Sequence, residues 1–123
     1  MAAGVTARPP TVLAIDDDRQ VLAVIRAHLT AAGYRVLEAT DGESGLRLAH
    51  RGEVDLITLD VLMAPLSGRD VLARLRADIA THAIPVVLVT VVDRPGELPA
   101  DGYVSKPFRG RRLLDEVQRL LPA

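Results

Sequence analysis

Six side chains that could take part in chemistry stand where short apolar segments of this chain end. They are three consecutive acids, a lone acid, a hydroxyl and an amine, namely Asp16, Asp17, Asp18, Asp60, Thr90 and Lys106. Carboxylates that share one site repel one another unless a hard cation takes their oxygens as ligands. Mg²⁺ suits such a site, with Mn²⁺ as a substitute, because it binds few carboxylates and completes its shell with water and phosphate oxygens. Gathered in one place, these residues predict a magnesium-dependent phosphoryl-transfer site.

An alternation of short apolar runs with helical periodicity indicates how these residues are positioned. Strands are predicted at residues 12–15, 34–39, 54–59, 85–89 and 102–105, and helices at 19–32, 41–51, 69–77 and 109–121. This order is typical of a doubly wound α/β fold, in which helices cover both faces of a parallel sheet. The carboxyl ends of parallel strands share one edge, where ligands bind. The six side chains are therefore expected to lie together at that edge.

The composition fits one small domain with an aliphatic core. Of the 123 residues, 49% are hydrophobic and only 2% are aromatic, so Ala, Val, Leu and Ile must build the interior. Residues 11–121 are assigned to the domain, and residues 1–10 to a flexible lead-in without the features of a secretion signal. The absence of cysteine excludes disulfides, thiolate catalysis and cysteine-bound metals.

Charge and hydropathy argue against two classes of direct partner. The formal net charge of −1 provides no excess of positive charge for nucleic acid or an anionic membrane. The longest apolar run, residues 84–92, contains Pro85 and is far shorter than the roughly 20 residues that cross a bilayer. We therefore predict no direct nucleic-acid binding, no membrane insertion and a cytoplasmic location.

Each of the polar residues has an ordinary structural explanation when it is taken alone. The acids at 16–18 could cap the following helix, and Asp60 could be a turn residue at a strand end. Thr90 is a common type of strand residue, and Lys106 could be a solvated surface charge. Only the combination at successive strand ends is specific.

Four segments carry a family resemblance, in the order VLAIDDDRQVLAVI, VDLITLDVLMAPLSG, IPVVLVT and DGYVSKPF. They resemble the signature blocks of the response regulator receiver domains of bacterial two-component signalling, over about residues 11–121. The resemblance implies a five-stranded sheet in the flavodoxin-like order 2-1-3-4-5. It also implies that a sensor histidine kinase or a phosphotransfer protein donates the phosphoryl group, and that an unknown downstream protein reads the result.

The resemblance assigns the acids their roles. Asp60 matches the phospho-accepting aspartate, and Asp16 and Asp17 match the acidic pair that holds Mg²⁺ together with it. The backbone carbonyl of Leu62, two residues after the acceptor, is the further protein ligand that the family pattern implies. Asp18 falls one position beyond the pair and is expected to cap the next helix or to support the metal ligands.

The resemblance also assigns roles to residues of the later strands. Thr90 and Lys106 match the hydroxyl and the amine that bind phosphoryl oxygens, and Pro107 matches the cis-proline that follows the lysine. Tyr103 matches the aromatic residue that moves inward with the threonine. Thr90 and Tyr103 are therefore expected to form the switch that carries the signal to the surface.

The expected rim of the site departs from the family pattern because it is apolar. Leu62 and Val92 each stand two positions after a site residue, where many relatives carry polar side chains that help or hinder water. We expect slow autodephosphorylation, because these side chains should exclude water. Val91 is larger than the family prefers and could narrow the entrance for small donors, and Pro65 stands one position later than the usual proline.

The segment between Thr90 and Lys106 departs most from the pattern. It spans only 16 positions and contains Pro95, Gly96 and Pro99, which a helix interior does not tolerate well. We therefore predict that the fourth helix of the family is shortened or missing. Either this is a harmless deletion, or the surface used for partner docking is remodelled.

Three functions are compatible with these residues. The leading hypothesis is a phosphorylatable receiver, which is no enzyme in the usual sense and only assists its own phosphotransfer and slow autodephosphorylation. The second is a receiver-like interaction module that works without phosphorylation. The third is a phosphohydrolase with an aspartate nucleophile, suggested by the spacing of Asp16 and Asp18, although no cap domain fits.

Overall fold

Strands and helices alternate along the chain in the predicted order. The structure is a computed structural model that describes residues 8–92 and 98–121. Its elements are β1 (Thr11–Ile15), α1 (Arg19–Ala31), β2 (Arg35–Ala39), α2 (Gly42–His50), β3 (Leu56–Leu59), α3 (Gly68–Ala77), β4 (Val86–Thr90), β5 (Gly102–Ser105) and α4 (Gly110–Leu120). None of the helices in these ranges is long and apolar enough to cross a bilayer.

The five strands form one parallel sheet in the order β2-β1-β3-β4-β5, as predicted. The chain moves from β1 outward to β2 and then returns to the other side of β1 to form β3. Strand order therefore reverses between β1 and β3, and a crevice opens at the carboxyl ends of these two strands. Asp16 follows β1 and Asp60 follows β3, so both acids stand at this reversal point.

Two aliphatic layers hold the helices onto the sheet, as the composition predicted. Successive strand residues point to opposite faces, so one face of each strand packs on α2 and α3 and the other on α1 and α4. The first layer includes Ile15, Leu59, Ala49, Leu72 and Leu75, and the second includes Val12, Val89, Leu22, Ile25 and Leu113. Burial on both faces explains why the central strands are almost continuously apolar.

Capping residues define where the helices begin and end. The Asp18 carboxylate accepts a hydrogen bond from the Gln20 N–H at 2.9 Å and so caps α1. The Asp41 carboxylate caps α2 by accepting a hydrogen bond from the Ser44 N–H at 2.8 Å. Gly33 follows α1 with a φ of 97°, a left-handed conformation that commonly ends helices.

The predicted strand bounds were wrong by one or two residues in β3 and β4. β3 begins at Leu56 instead of residue 54. Just before the strand, the Asp55 carboxylate accepts a hydrogen bond from the Thr11 N–H at 2.7 Å. β4 runs one residue further than predicted, because Thr90 still pairs with Ser105 of β5. Thr90 is therefore the last residue of the strand and does not follow it.

No helix occurs between β4 and β5 in residues 91–92 and 98–101, which agrees with the predicted shortening or loss. Pro95 and Gly96, on which that prediction partly depended, lie outside the described residues, as do residues 1–7 of the predicted lead-in. Leu98 and Ala100 pack against the layer of α2 and α3. The part of this crossover that is described is therefore an ordered, non-helical segment.

Candidate functional site

Two buried carboxylates face each other where β1 and β3 end. Asp16 is 1% exposed and Asp60 is 5% exposed. The Asp60 N–H donates to the Ile15 carbonyl at 3.0 Å, which joins the two strand ends. Asp17 is exposed, yet one of its carboxylate oxygens lies within 4.8 Å of oxygens of both other acids. The structure thus brings the three predicted acids together.

Lys106 lies between the two buried carboxylates. Its Nζ donates to Asp16 Oδ2 at 2.7 Å and to Asp60 Oδ2 at 3.2 Å. Lys106 directly follows β5, and its backbone N–H donates to the Thr90 carbonyl at 3.0 Å. The peptide bond to Pro107 is cis, as the resemblance implied. The acids follow the neighbouring strands β1 and β3, and the amine reaches them from the end of β5, across the end of β4.

Burial and the paired charges shape the ionisation of this cluster. Burial raises the pKa of Asp16, although the hydrogen bond from Lys106 offsets part of that effect. Burial by itself would lower the pKa of Lys106, but the hydrogen bonds and negative charges of Asp16 and Asp60 outweigh it and raise that pKa. Lys106 therefore stays protonated and supplies the positive charge that the carboxylates need.

The donor set fits a hard divalent cation. One amine neutralises only part of the charge of three converging carboxylates, whose oxygens are ligands that Mg²⁺ prefers. Asp18 is not part of this cluster, because its side chain caps α1. Of the three consecutive acids, Asp16 and Asp17 therefore belong to the cluster, and only Asp18 caps the helix.

The two predicted switch residues meet at Val92. Thr90 is fully buried, and its Oγ1 accepts a hydrogen bond from the Val92 N–H at 3.3 Å. The Tyr103 hydroxyl donates to the Val92 carbonyl at 3.0 Å. The start of the crossover is thus bound through Val92 to both side chains.

Gly68 is a residue of the site that the sequence reasoning missed as a contributor. A Cβ at this position would collide with the Asp60 carbonyl oxygen and come within 2.6 Å of the Val61 Cα. The Gly68 N–H also donates to the Val61 carbonyl at 2.9 Å. Glycine is required here because α3 begins against the backbone of Asp60. The only signal in the sequence was the position of this glycine at the end of the segment VDLITLDVLMAPLSG.

Two exposed apolar side chains follow the strands that end at the site. Leu62 is 57% exposed and Val91 is 58% exposed, and each follows a strand that ends at the site. The Leu62 N–H donates to Asp60 Oδ1 at 3.2 Å. Beside Lys106, a groove of about 330 Å³ is lined by Val24, Phe108 and other residues of α1 and of the loop before α4.

Comparison with known protein families identifies the family to which this arrangement belongs. Residues 12–118 match the family described as the response regulator receiver domain. The chain belongs to this family. Receiver domains of two-component systems are signalling modules, so the chain is a signalling domain and not a classical enzyme. The match covers the sheet except for Thr11, the first residue of β1, and includes all the residues of the carboxylate and lysine cluster.

Curated relatives include transcriptional regulators that are longer than this chain. The transcriptional regulatory protein CpxR of Klebsiella pneumoniae is 39% identical over 116 residues, which are 89% of this chain and 48% of CpxR. The DNA-binding dual master transcriptional regulator RpaA of Synechocystis is 36% identical over 118 residues, 91% of this chain and 49% of RpaA. The receiver thus spans about half the length of the curated relatives that it matches.

Solved structures with the same fold include two that hold magnesium. The receiver domain of the sensor histidine kinase PA1611 of Pseudomonas aeruginosa, with a magnesium ion in its active site cleft, is 26% identical, with a TM-score of 0.86 and coverage of 94% of this chain and 100% of that one. The response regulator TrrA of Thermotoga maritima, in complex with Mg²⁺ and BeF, is 27% identical, with a TM-score of 0.82 and coverage of 90% and 98%.

Proposed function

We propose that this receiver accepts a phosphoryl group on Asp60 from the phosphohistidine of a sensor histidine kinase or a phosphotransfer protein. The observation that carries the proposal is the bridging of the buried Asp16 and Asp60 carboxylates by Lys106, at 2.7 and 3.2 Å. An ion pair buried at the reversal point of the sheet is suited to phosphoryl chemistry, because its charges are fixed in place before the reaction. A kinase partner would place the receiver in the cytoplasm.

In the proposed transfer, a carboxylate oxygen of Asp60 attacks the phosphorus of the phosphohistidine. A new O–P bond forms while the N–P bond breaks, and the histidine nitrogen leaves with the bonding electron pair. Lys106 pairs with the phosphoryl oxygens and offsets their charge, and the Leu62 N–H steadies the acceptor through Asp60 Oδ1. The protein thus contributes position and charge.

Asp16, Asp17 and Asp60, with the Leu62 carbonyl, would hold the metal ion. Mg²⁺, or Mn²⁺ in its place, supplies charge neutralisation and orientation to the phosphoryl oxygens. The convergence of the three carboxylates within 4.8 Å supports this assignment. The magnesium named for PA1611 and TrrA supports it by analogy.

The signal would leave the site through Val92. At present the Thr90 hydroxyl accepts a hydrogen bond from the Val92 N–H. If the hydroxyl turns to donate to a phosphoryl oxygen, that hydrogen bond breaks. Tyr103, which donates to the carbonyl of the same residue, would then lose its fixed partner and change its position. The altered surface would select an unidentified downstream protein.

Loss of the phosphoryl group should be slow. Leu62 and Val91 present apolar side chains at the opening of the site, and Val92 is half-buried beside it. Such a rim offers the attacking water no polar partner, so hydrolysis lacks an orienting group. A phosphorylated half-life of only seconds in the presence of Mg²⁺ would contradict this part of the proposal.

The test compares labelling of the wild type, Asp60→Asn and the matched control Asp115→Asn, in which an exposed acid of α4 is changed. Each protein is incubated with a phosphorylated kinase and Mg²⁺, and its intact mass is measured. We expect one phosphoryl group on the wild type and the control and none on Asp60→Asn. Absence of labelling in the wild type would favour an interaction module without phosphorylation, and turnover without a retained label would favour a phosphohydrolase.

A further inference from the structure

One arginine of α3 holds the residues that lead into β5. The Arg76 side chain is 23% exposed and makes four hydrogen bonds. Its Nη1 donates to the carbonyls of His82 at 3.0 Å and Ile84 at 2.9 Å, before β4. Its Nε donates to the Pro99 carbonyl at 3.1 Å, and its Nη2 to the Asp101 carboxylate at 2.8 Å. A single guanidinium thus joins α3, the entry to β4 and the entry to β5.

Asp101 connects this arginine to the strand pairing. Its carboxylate also accepts the Val86 N–H at 2.8 Å, and its own N–H donates to the Val86 carbonyl at 2.8 Å. Val86 is the first residue of β4, and Asp101 directly precedes β5. The pairing that follows places Val87 opposite Gly102. The Arg76 and Asp101 pair therefore stands where the register of β5 begins.

We propose that Arg76 is a positioning residue for Lys106, because it fixes the register of β5 through Asp101. Lys106 stands at the opposite end of that four-residue strand. A slip of two residues would keep every side chain on its face of the sheet but would move the Lys106 backbone by roughly 7 Å. The amine would then lose its contacts with Asp16 and Asp60. The proposal rests on the proposed function, since it concerns the residue assigned to the phosphoryl oxygens.

The guanidinium is suited to this task, and an ammonium group is not. Arginine presents five N–H donors in a rigid planar fork, whereas lysine carries a compact point charge. Arg76→Lys would keep the charge opposite Asp101 but could not reach both the Pro99 and Ile84 carbonyls as well. Arg74 provides a matched control, because it lies on the same helix and pairs with Glu43 at 2.9 Å, away from the crossover.

Lys106 itself supplies the measurement. It is the sole lysine of the 123 residues, so protein grown with ¹³C,¹⁵N-lysine gives the side-chain resonances of one residue. We expect these resonances to move and broaden in Arg76→Gln, to move less in Arg76→Lys, and to stay in place in Arg74→Gln. Amide exchange at Val86 and Asp101 should become about tenfold faster in Arg76→Gln, while the amides of β1 and β3 keep their wild-type protection.

Two results would overturn the proposal. One is a set of Lys106 resonances in Arg76→Gln that coincide with those of the wild type, because the amine would then be positioned without the bonds of Arg76. The other is faster exchange in β1 and β3 as well, because Arg76 would then merely stabilise the whole sheet. Where Arg76→Gln does not fold, Arg76→Lys decides by the same criteria. Neither measurement requires phosphorylation. Failure of labelling at Asp60 and failure of Arg76 to position Lys106 are therefore separate outcomes.

Discussion

The amine of Lys106 acts as a built-in counter-ion for two buried acids. It donates to Asp16 at 2.7 Å, a distance typical of a charge-assisted hydrogen bond, and makes a longer bond of 3.2 Å to Asp60. Without a cation, burial of the Asp16 carboxylate favours its neutral form, and the raised pKa of that group reflects this cost. Lysine and metal ion are thus alternative sources of positive charge at the same carboxylates.

Substitution of Lys106 by methionine tests this relation. We expect the free energy of unfolding without metal to fall by about 3 kcal/mol, because both buried carboxylates lose their positively charged partner. Mg²⁺ should then stabilise Lys106→Met more than the wild type, because the ion no longer competes with the amine. Urea unfolding with Mg²⁺ and with chelator measures both effects. An equal response to Mg²⁺ in the two proteins would contradict the shared-charge interpretation.

The backbone at Asp60 depends on the glycine at the start of α3. Gly68→Ala would force its Cβ against the Asp60 carbonyl and Val61, which are backbone atoms that cannot rotate away. We expect a loss of about 2 kcal/mol in the free energy of unfolding and slower labelling of Asp60. Arg69→Ala is the control, since it changes an exposed side chain in the same first turn of α3 and alanine favours a helix. Wild-type stability and labelling in Gly68→Ala would refute the steric argument.

Helix α4 protects the edge of the sheet through a charged cluster. The Glu116 carboxylate accepts hydrogen bonds from Arg112 at 2.9 Å and Arg119 at 2.8 Å. Further N–H groups of these arginines donate to the Tyr103 and Asp101 carbonyls, both at 2.8 Å. Because β5 is an edge strand, such capping occupies groups that could otherwise pair with another chain.

This cluster predicts a pH dependence. The hydrogen bond from Arg119 leads the causes that hold the pKa of Glu116 below its ordinary 4.5. A depressed pKa in the folded state stabilises the fold above the unfolded value, and this contribution is lost as pH falls through the folded value. Glu116→Gln should therefore cost up to about 1 kcal/mol at neutral pH and almost nothing in strong acid.

Urea unfolding of Glu116→Gln at several pH values checks this prediction. Glu43→Gln serves as the control, because that exposed glutamate pairs only with Arg74 among the described residues. Its effect should be smaller at every pH. A difference between the wild type and Glu116→Gln that grows as pH falls would have the wrong sign for a stabilising carboxylate.

The elements themselves were largely readable from hydrophobic periodicity. Apolar runs marked the five strands, and the caps at Asp18 and Asp41 stood at the starts of α1 and α2. The end of β4 was misplaced, because apolar pattern alone cannot show that Thr90 still pairs with Ser105. The four bonds of Arg76 were unpredictable, since they join residues that only the folded crossover brings together.

The molecule as a whole places its reactive edge beside a surface suited to protein contact. The groove of about 330 Å³ next to Lys106 includes Val24, which is 45% exposed. Together with the partly buried Val21 and Phe108, it gives the groove a contiguous apolar lining, which is typical of an interaction surface beside a functional site. The sequence predicted which residues form the reactive edge, but this groove depends on how α1 and the loop before α4 pack.

Val24→Glu separates protein donors from small ones. We expect phosphotransfer from the kinase to slow by about tenfold or more, because a buried charge would oppose docking at this groove. Labelling by a small acyl phosphate should be unchanged, since that donor needs no groove. Ile79→Glu is the control. Ile79 is 88% exposed on the loop before β4, towards the amino ends of the strands and away from the site. Equal slowing in both variants would exclude the groove as the docking site.

The most direct test locates the phosphoryl group on the wild-type chain. After phosphotransfer from a kinase, borohydride reduces an aspartyl acyl phosphate to homoserine, and peptide mass spectrometry identifies the altered residue. We predict homoserine at position 60 and nowhere else. Homoserine at position 16 or 17, or none after a confirmed transfer, would contradict the assignment of Asp60 as the acceptor.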